Sequence, residues 1–112
     1  MIRPAALACA LLASVSGTAH AVRVVDGAGS VIEIASPATR IVTLAPHAAE
    51  LVAVAGAGPS IVGVSAHTDA PPAARALPVV GDATAIDVER ILALEPDLVV
   101  TWPWTVPAQV AR

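Results

Sequence analysis

One run constrains this chain more than any other: Arg40-Ile41-Val42-Thr43-Leu44-Ala45-Pro46-His47-Ala48-Ala49-Glu50-Leu51. Ile41 to Leu44 is a short, β-branched apolar run of the kind found in buried strands. Pro46 breaks it, and a helical pattern beginning at His47 or Ala48 runs on to Gly56. A strand that turns at once into a helix is the opening unit of a parallel α/β sheet. It sets the first helical turn, with its free backbone N–H groups, at the carboxyl end of a strand, the edge where open α/β sheets bind ligands. His47 sits in that turn, which reads as part of a binding cleft.

The rest of the chain repeats the unit. Val22 to Val25 and Val31 to Ile34 flank Asp26-Gly27-Ala28-Gly29-Ser30, which predicts a β-hairpin ahead of the main sheet. The first helix carries Leu51, Val52, Val54 and Ala55 as apolar positions, has Glu50 in its first turn, and ends in Gly56-Ala57-Gly58-Pro59. Ile61 to Val64 predicts a second buried strand, and Ser65 to Ala70 a polar loop after it. Pro71-Pro72 opens a short helix over Ala73 to Ala76. Leu77 to Val80 approaches the sheet again and leads into the loop Gly81-Asp82-Ala83-Thr84. Asp87 suits the N-cap of a helix buried through Val88, Ile91 and Leu92. Leu98 to Thr101 predicts a last buried strand, with Trp102-Pro103-Trp104 as its loop. Loops at 45–47, 65–70, 81–85 and 102–104 thus converge on one sheet edge.

The first 21 residues stand apart. Met1-Ile2-Arg3 is a positively charged start, Pro4 to Ser16 an Ala/Leu-rich run too short to span a bilayer, and Ala19-His20-Ala21 a small-x-small cleavage site. These features predict a secretory signal peptide over 1–21, cut after Ala21. The single cysteine of the chain, Cys9, falls inside it, leaving no disulfide, thiolate ligand or thiol nucleophile in residues 22–112. The net charge is −3, with 6 Lys+Arg against 9 Asp+Glu and no basic stripe, which argues against nucleic acid. Gly27-Ala28-Gly29 lies between two strands, so it is a poor phosphate loop. With no P-loop and no nucleophile motif either, an enzyme is not expected.

Several side chains reach the loop edge. His47 suits either ligand contact or capping of the helix start, and His67 either a pocket edge or a solvated loop. Trp102 suits a large flat ligand, and Trp104 either the pocket or cover for a core edge. Asp69 and Asp82 suit loop-capping carboxylates, with Asp82 on the ligand edge as well. His47 and His67 with Asp69 or Asp82 offer metal-binding chemistry, but three separate loops supply no ligand-spacing motif, so no metal site is assigned.

Laid end to end, these pieces resemble the periplasmic substrate-binding proteins of ABC importers for cobalamin, iron-siderophores and haem. The resemblance rests on Arg40 to Pro46 with Ala49-Glu50-Leu51, on Val62-Gly63-Val64-Ser65, on Asp69-Ala70-Pro71-Pro72 and on Leu77-Pro78-Val79-Val80-Gly81. Its most specific part is Val88-Glu89-Arg90-Ile91-Leu92-Ala93-Leu94-Glu95-Pro96-Asp97-Leu98-Val99. The vitamin B12-binding members look closest in motif spacing. The resemblance implies a parallel-sheet, Rossmann-like α/β lobe, over 22–112 and preceded by the hairpin, as the N-terminal lobe of a two-lobed protein. The joining helix and second lobe are expected to be missing. It further implies a periplasmic monomer that carries a small-molecule cargo, cobalamin or another metal chelate, to an inner-membrane permease, with no resident cofactor. Iron-siderophore, haem or a bare metal ion is the alternative cargo, and a non-functional fragment the alternative outcome. Pro46 and His47 match the first pocket loop. His67 stands where cobalamin binders usually have an aromatic, Ala83 where some members have tryptophan, and Trp102 keeps the aromatic of the fourth loop. Glu89 matches the surface glutamate offered to permease arginines, a pairing that an exposed carboxylate and an Arg fork can make.

Overall fold

A computed structural model describes residues 20–103. The expected signal peptide, apart from its last two residues, and Trp104 lie outside the described residues. The chain divides into two units, Met1–Pro37 and Ala38–Arg112.

In the first unit, β1 (Val22–Val25) and β2 (Val31–Ile34) pair antiparallel, with Val22 opposite Ile34 and Val24 opposite Ile32. The turn chemistry closes as expected. Asp26 Oδ1 accepts the N–H groups of Ala28 and Ser30 at 2.9 and 2.8 Å, and Gly29 takes a φ of +84°, which glycine adopts at no steric cost. An exposed Arg23–Glu33 ion pair at 3.8 Å crosses the strands and adds little.

The second unit is a parallel sheet. The strands β3 (Ile41–Thr43), β4 (Ile61–Gly63) and β5 (Leu98–Val100) lie in the order β4-β3-β5, all parallel, so the strand-turn-helix run forms the central strand. All of β3 is buried. The segment expected to approach the sheet runs beside β4. Val64 pairs with Val79 in a single parallel bridge, and Val80 N–H donates to Val64 C=O at 2.8 Å. Pro78 has no N–H to give, which helps keep this pairing short.

Two small cores sandwich the sheet. On one side Ala49, Ile61, Val64 and Ala74 pack with Val52 and Leu77; on the other Val42, Leu44 and Val80 pack with Val62, Ile86, Ile91 and Leu94. The helix α1 (Pro46–Val54) starts one residue earlier than expected, because Pro46 occupies its first turn instead of ending the strand from outside. That shift moves Glu50 out of the first turn. It also sets Ala48 and Ala49 against the sheet, while Leu51 is 60 % and Val54 87 % exposed. Small residues face inward, so the helix approaches the sheet closely. Gly56, at φ +93°, follows the C-cap Ala55 as expected.

Three further expectations change in detail. The segment Pro72–Ala76 is a 3₁₀ turn begun by Pro72. The helix α2 (Val88–Ala93) is capped by Asp87, whose carboxylate accepts the Arg90 N–H at 3.0 Å, but it turns Ile91 and Leu94 inward and leaves Leu92 67 % exposed. β5, expected to be buried, is the edge strand of the described sheet, with Leu98 and Val99 exposed.

Candidate functional site

The carboxyl ends of the parallel strands gather four loops, and each is shaped by its own short-range chemistry. After β3, Leu44 N–H donates to Val100 C=O at 3.0 Å, extending the β3–β5 pairing by one residue. Ala45 is extended (φ −149°, ψ 145°) and is the N-cap of α1, with no side-chain cap.

After β4, the turn Ser65-Ala66-His67-Thr68 is built from buried hydroxyls. Thr68 Oγ1 donates to Ser65 C=O at 2.7 Å and lies 3.2 Å from Ser65 Oγ. His67 sits at the turn's third position with a φ of +63°, left-handed backbone that a residue with a Cβ takes only when its surroundings hold it there. Ala66 N–H donates to Gly81 C=O at 2.7 Å, fastening this turn to the next loop.

That next loop is ordered by Asp82. Its Oδ1 accepts Thr84 Oγ1 at 2.7 Å, Thr84 N–H at 2.8 Å and Ala85 N–H at 2.9 Å. These bonds, the Thr84 hydroxyl foremost, hold the Asp82 carboxyl below its ordinary range, with a smaller push from nearby His67. Gly81 has a φ of +155°, and a Cβ there would stand 2.5 Å from Ala85 C=O oxygen.

The fourth loop carries Trp102. Its indole meets the His47 imidazole edge-on, with centroids 4.3 Å apart and planes at 88°.

Together the loops enclose a cavity of about 240 Å³, lined by Leu44, Ala45, Pro46, Ser65, Ala66, His67, Asp82, Ala83 and Trp102. Pro46, His67, Asp82, Ala83 and Trp102, all singled out from sequence, come together there. His47 braces Trp102 and is not part of the cavity wall; the helix cap it was alternatively assigned falls to Ala45. Glu89 stands elsewhere, exposed on the first turn of α2. Leu44, Ala45, Ser65 and Ala66 complete the wall and were missed. They carry no distinctive chemistry, and their only sequence signal is their place at the end of a strand. Among the described residues no three His, Cys, Asp or Glu side chains gather to hold a metal ion.

The cavity is smaller than the roughly 300–1,000 Å³ of a complete ligand pocket. Its wall is mainly small and apolar, with one indole, one imidazole and one carboxylate. That is the surface a parallel α/β sheet offers to a bulky, largely apolar ligand at its strand ends. Residues 41–102, more than half of the chain, match the periplasmic binding protein family, and the chain belongs to that family.

Its relatives are proteins that bind a cargo. The vitamin B12-binding protein of Vibrio cholerae is 48 % identical over 48 residues, which make up 43 % of this chain and 17 % of that protein. The crystal structure of the periplasmic vitamin B12 binding protein BtuF of Vibrio cholerae superposes with a TM-score of 0.63 at 44 % identity, covering 67 % of this chain and 29 % of that one. A periplasmic heme binding protein from Pseudomonas aeruginosa gives a TM-score of 0.62 at 29 % identity, covering 67 % of this chain and 27 % of the other. The chain therefore spans less than a third of each relative.

Proposed function

We propose that this chain forms the first lobe of the substrate-binding component of an ABC importer, and that its cargo is cobalamin or a closely related metal chelate. On this reading residues 1–21 direct export to the periplasm, the cavity is one wall of the cargo site, and Glu89 offers its carboxylate to a permease arginine. The cavity's work is to hold cargo, not to transform it, and the lobe acts as a monomer. The observation that carries the reading is the Trp102 indole, fixed edge-on by His47 at the rim of a small apolar wall. A rigid, flat, amphipathic ring at the mouth of such a wall suits a large planar chelate. The likeness to vitamin B12-binding proteins favours the corrin.

Haem is the second reading, and the likeness to a heme binding protein favours it. Iron-siderophores and a bare metal ion rank below both. Titration of the purified chain with cyanocobalamin tests the proposal: tryptophan emission should fall saturably, and Trp102→Ala should abolish the effect. No change at high micromolar cyanocobalamin, with saturable quenching by hemin, would move the assignment to haem.

A further inference from the structure

The cavity wall carries one carboxylate, Asp82. His67 is the other titratable group among its nine residues, and none of the nine is Arg or Lys. The three hydrogen bonds that order the Asp82 loop all end on Oδ1, so Oδ2 takes none of them. The carboxylate of this lining residue is thus fixed in place through one oxygen. Its bonds to Thr84 and Ala85 also keep it ionised below the usual carboxylate range.

We propose that Asp82 is a charge filter at this site, admitting neutral chelates rimmed with amides and turning away those rimmed with carboxylates. The inference rests on the proposed cargo site and deepens it. Cyanocobalamin is uncharged overall and edged with neutral amides, so one fixed charge beside it changes its affinity little. Haem presents propionates, which would meet Asp82 with like charge, and none of the described lining residues is an Arg or Lys that could offset it. A fixed negative charge beside a pocket costs an anionic ligand affinity and leaves a neutral one nearly untouched.

The test is Asp82→Asn, which keeps an acceptor oxygen for Thr84 and Ala85 and removes only the charge. Affinities for cyanocobalamin and hemin would be measured by tryptophan quenching for both chains. Hemin should bind the variant roughly threefold to tenfold more tightly, the effect of one screened charge at a protein surface, while cyanocobalamin changes by less than about twofold. In parallel, with Trp104→Phe so that emission comes from Trp102 alone, iodide and caesium would be compared as quenchers at constant ionic strength. Iodide should gain on caesium by about twofold in Asp82→Asn. An unchanged iodide-to-caesium ratio, or hemin affinity equal in both chains, overturns the filter. If neither chelate binds either chain, the cargo proposal fails, and the ion quenchers still decide whether Asp82 sets the field at Trp102.

Discussion

The imidazole of His47, in the first turn of α1, stands edge-on to the indole of Trp102, in the loop after β5, with 4.3 Å between ring centroids. This contact joins the first and last loops of the described sheet edge, residues more than fifty positions apart in sequence. It braces the one indole that lines the cavity among the described residues. A ring held in one plane spares a flat ligand the entropic cost of ordering it.

His47→Ala should therefore act on the cavity wall through Trp102, since His47 is not itself a lining residue. The lost edge-to-face contact is worth about 0.5–1.5 kcal/mol. Acrylamide quenching of Trp102, measured with Trp104→Phe, should rise, and urea unfolding should show a loss of stability within that range. Unchanged quenching would mean that the ring is held by something other than His47.

Two glycines behind the cavity loops differ in what an added side chain would meet. At Gly81 an added Cβ would meet Ala85 oxygen at 2.5 Å and Ile86 Cα at 2.9 Å, both backbone atoms, in a φ of +155° that L-residues avoid. At Gly63 it would meet the tip of Leu94 at 2.7 Å, which can swing aside, with Val80 next at 3.1 Å. Gly81→Ala should cost roughly 2–4 kcal/mol and displace the Asp82 loop, while Gly63→Ala should cost about 1–2 kcal/mol and leave that loop in place. Denaturant midpoints rank the two, and the reverse order would overturn the argument.

How much of this was open to sequence reading follows from the physics of each part. The central strand and the turn into α1 were legible because β-branched apolar residues followed by proline leave few alternatives. The hairpin turn, the Asp87 cap and the Gly56 stop were legible for the same reason, each being local chemistry. What escaped was set by packing. Periodicity favours Leu51 and Leu92 as core residues, yet both are exposed, while Ala48 and Ala49 are buried and Leu94 packs against Val42, Leu44 and Val80. Pro46, His67, Asp82, Ala83 and Trp102 lie on the cavity wall, and the small residues between them carry no chemistry that would single them out in sequence. The pairing of His47 with Trp102 carries no local signal, because the two residues lie far apart along the chain.

At the amino end of the sheet, away from the cavity, Asp97 ties together the entries to β3 and β5. It accepts Thr39 N–H and Arg40 N–H, each at 2.9 Å, and Thr39 Oγ1 at 3.1 Å. The Thr39 N–H bond, then that from Arg40, holds the Asp97 carboxyl below its ordinary 3.8. A carboxyl depressed in the folded state gives stability that is whole above its unfolded value and lost as pH falls through its lower folded value. Asp97→Ala should lower the melting temperature by a few degrees at pH 7. The gap to the unaltered chain should narrow as pH falls from the ordinary carboxylate value through the lower folded one. A gap that stays constant across that range would show that the charge on Asp97 contributes nothing.

The turn that presents His67 is the last point of leverage. Thr68 is 7 % exposed and Ser65 4 %, and the bond from Thr68 Oγ1 to Ser65 C=O, at 2.7 Å, closes the turn across the residue with φ +63°. Thr68→Val keeps the shape, removes the donor and leaves the buried Ser65 oxygens short of a partner, a cost of about 1–3 kcal/mol. Thr68→Ser restores the hydroxyl and should recover most of it. Strain at His67 makes a further demand: once the hydroxyl is gone, the left-handed backbone loses its restraint, and His67 should relax away from Asp82. Measured by NMR in Thr68→Val, the Asp82 carboxyl should then titrate closer to its ordinary value, since the small push from His67 is lost, while its bonds to Thr84 and Ala85 keep it depressed. A stability loss that Thr68→Ser fails to rescue would assign the effect to packing and remove the hydroxyl from the account of how His67 is held.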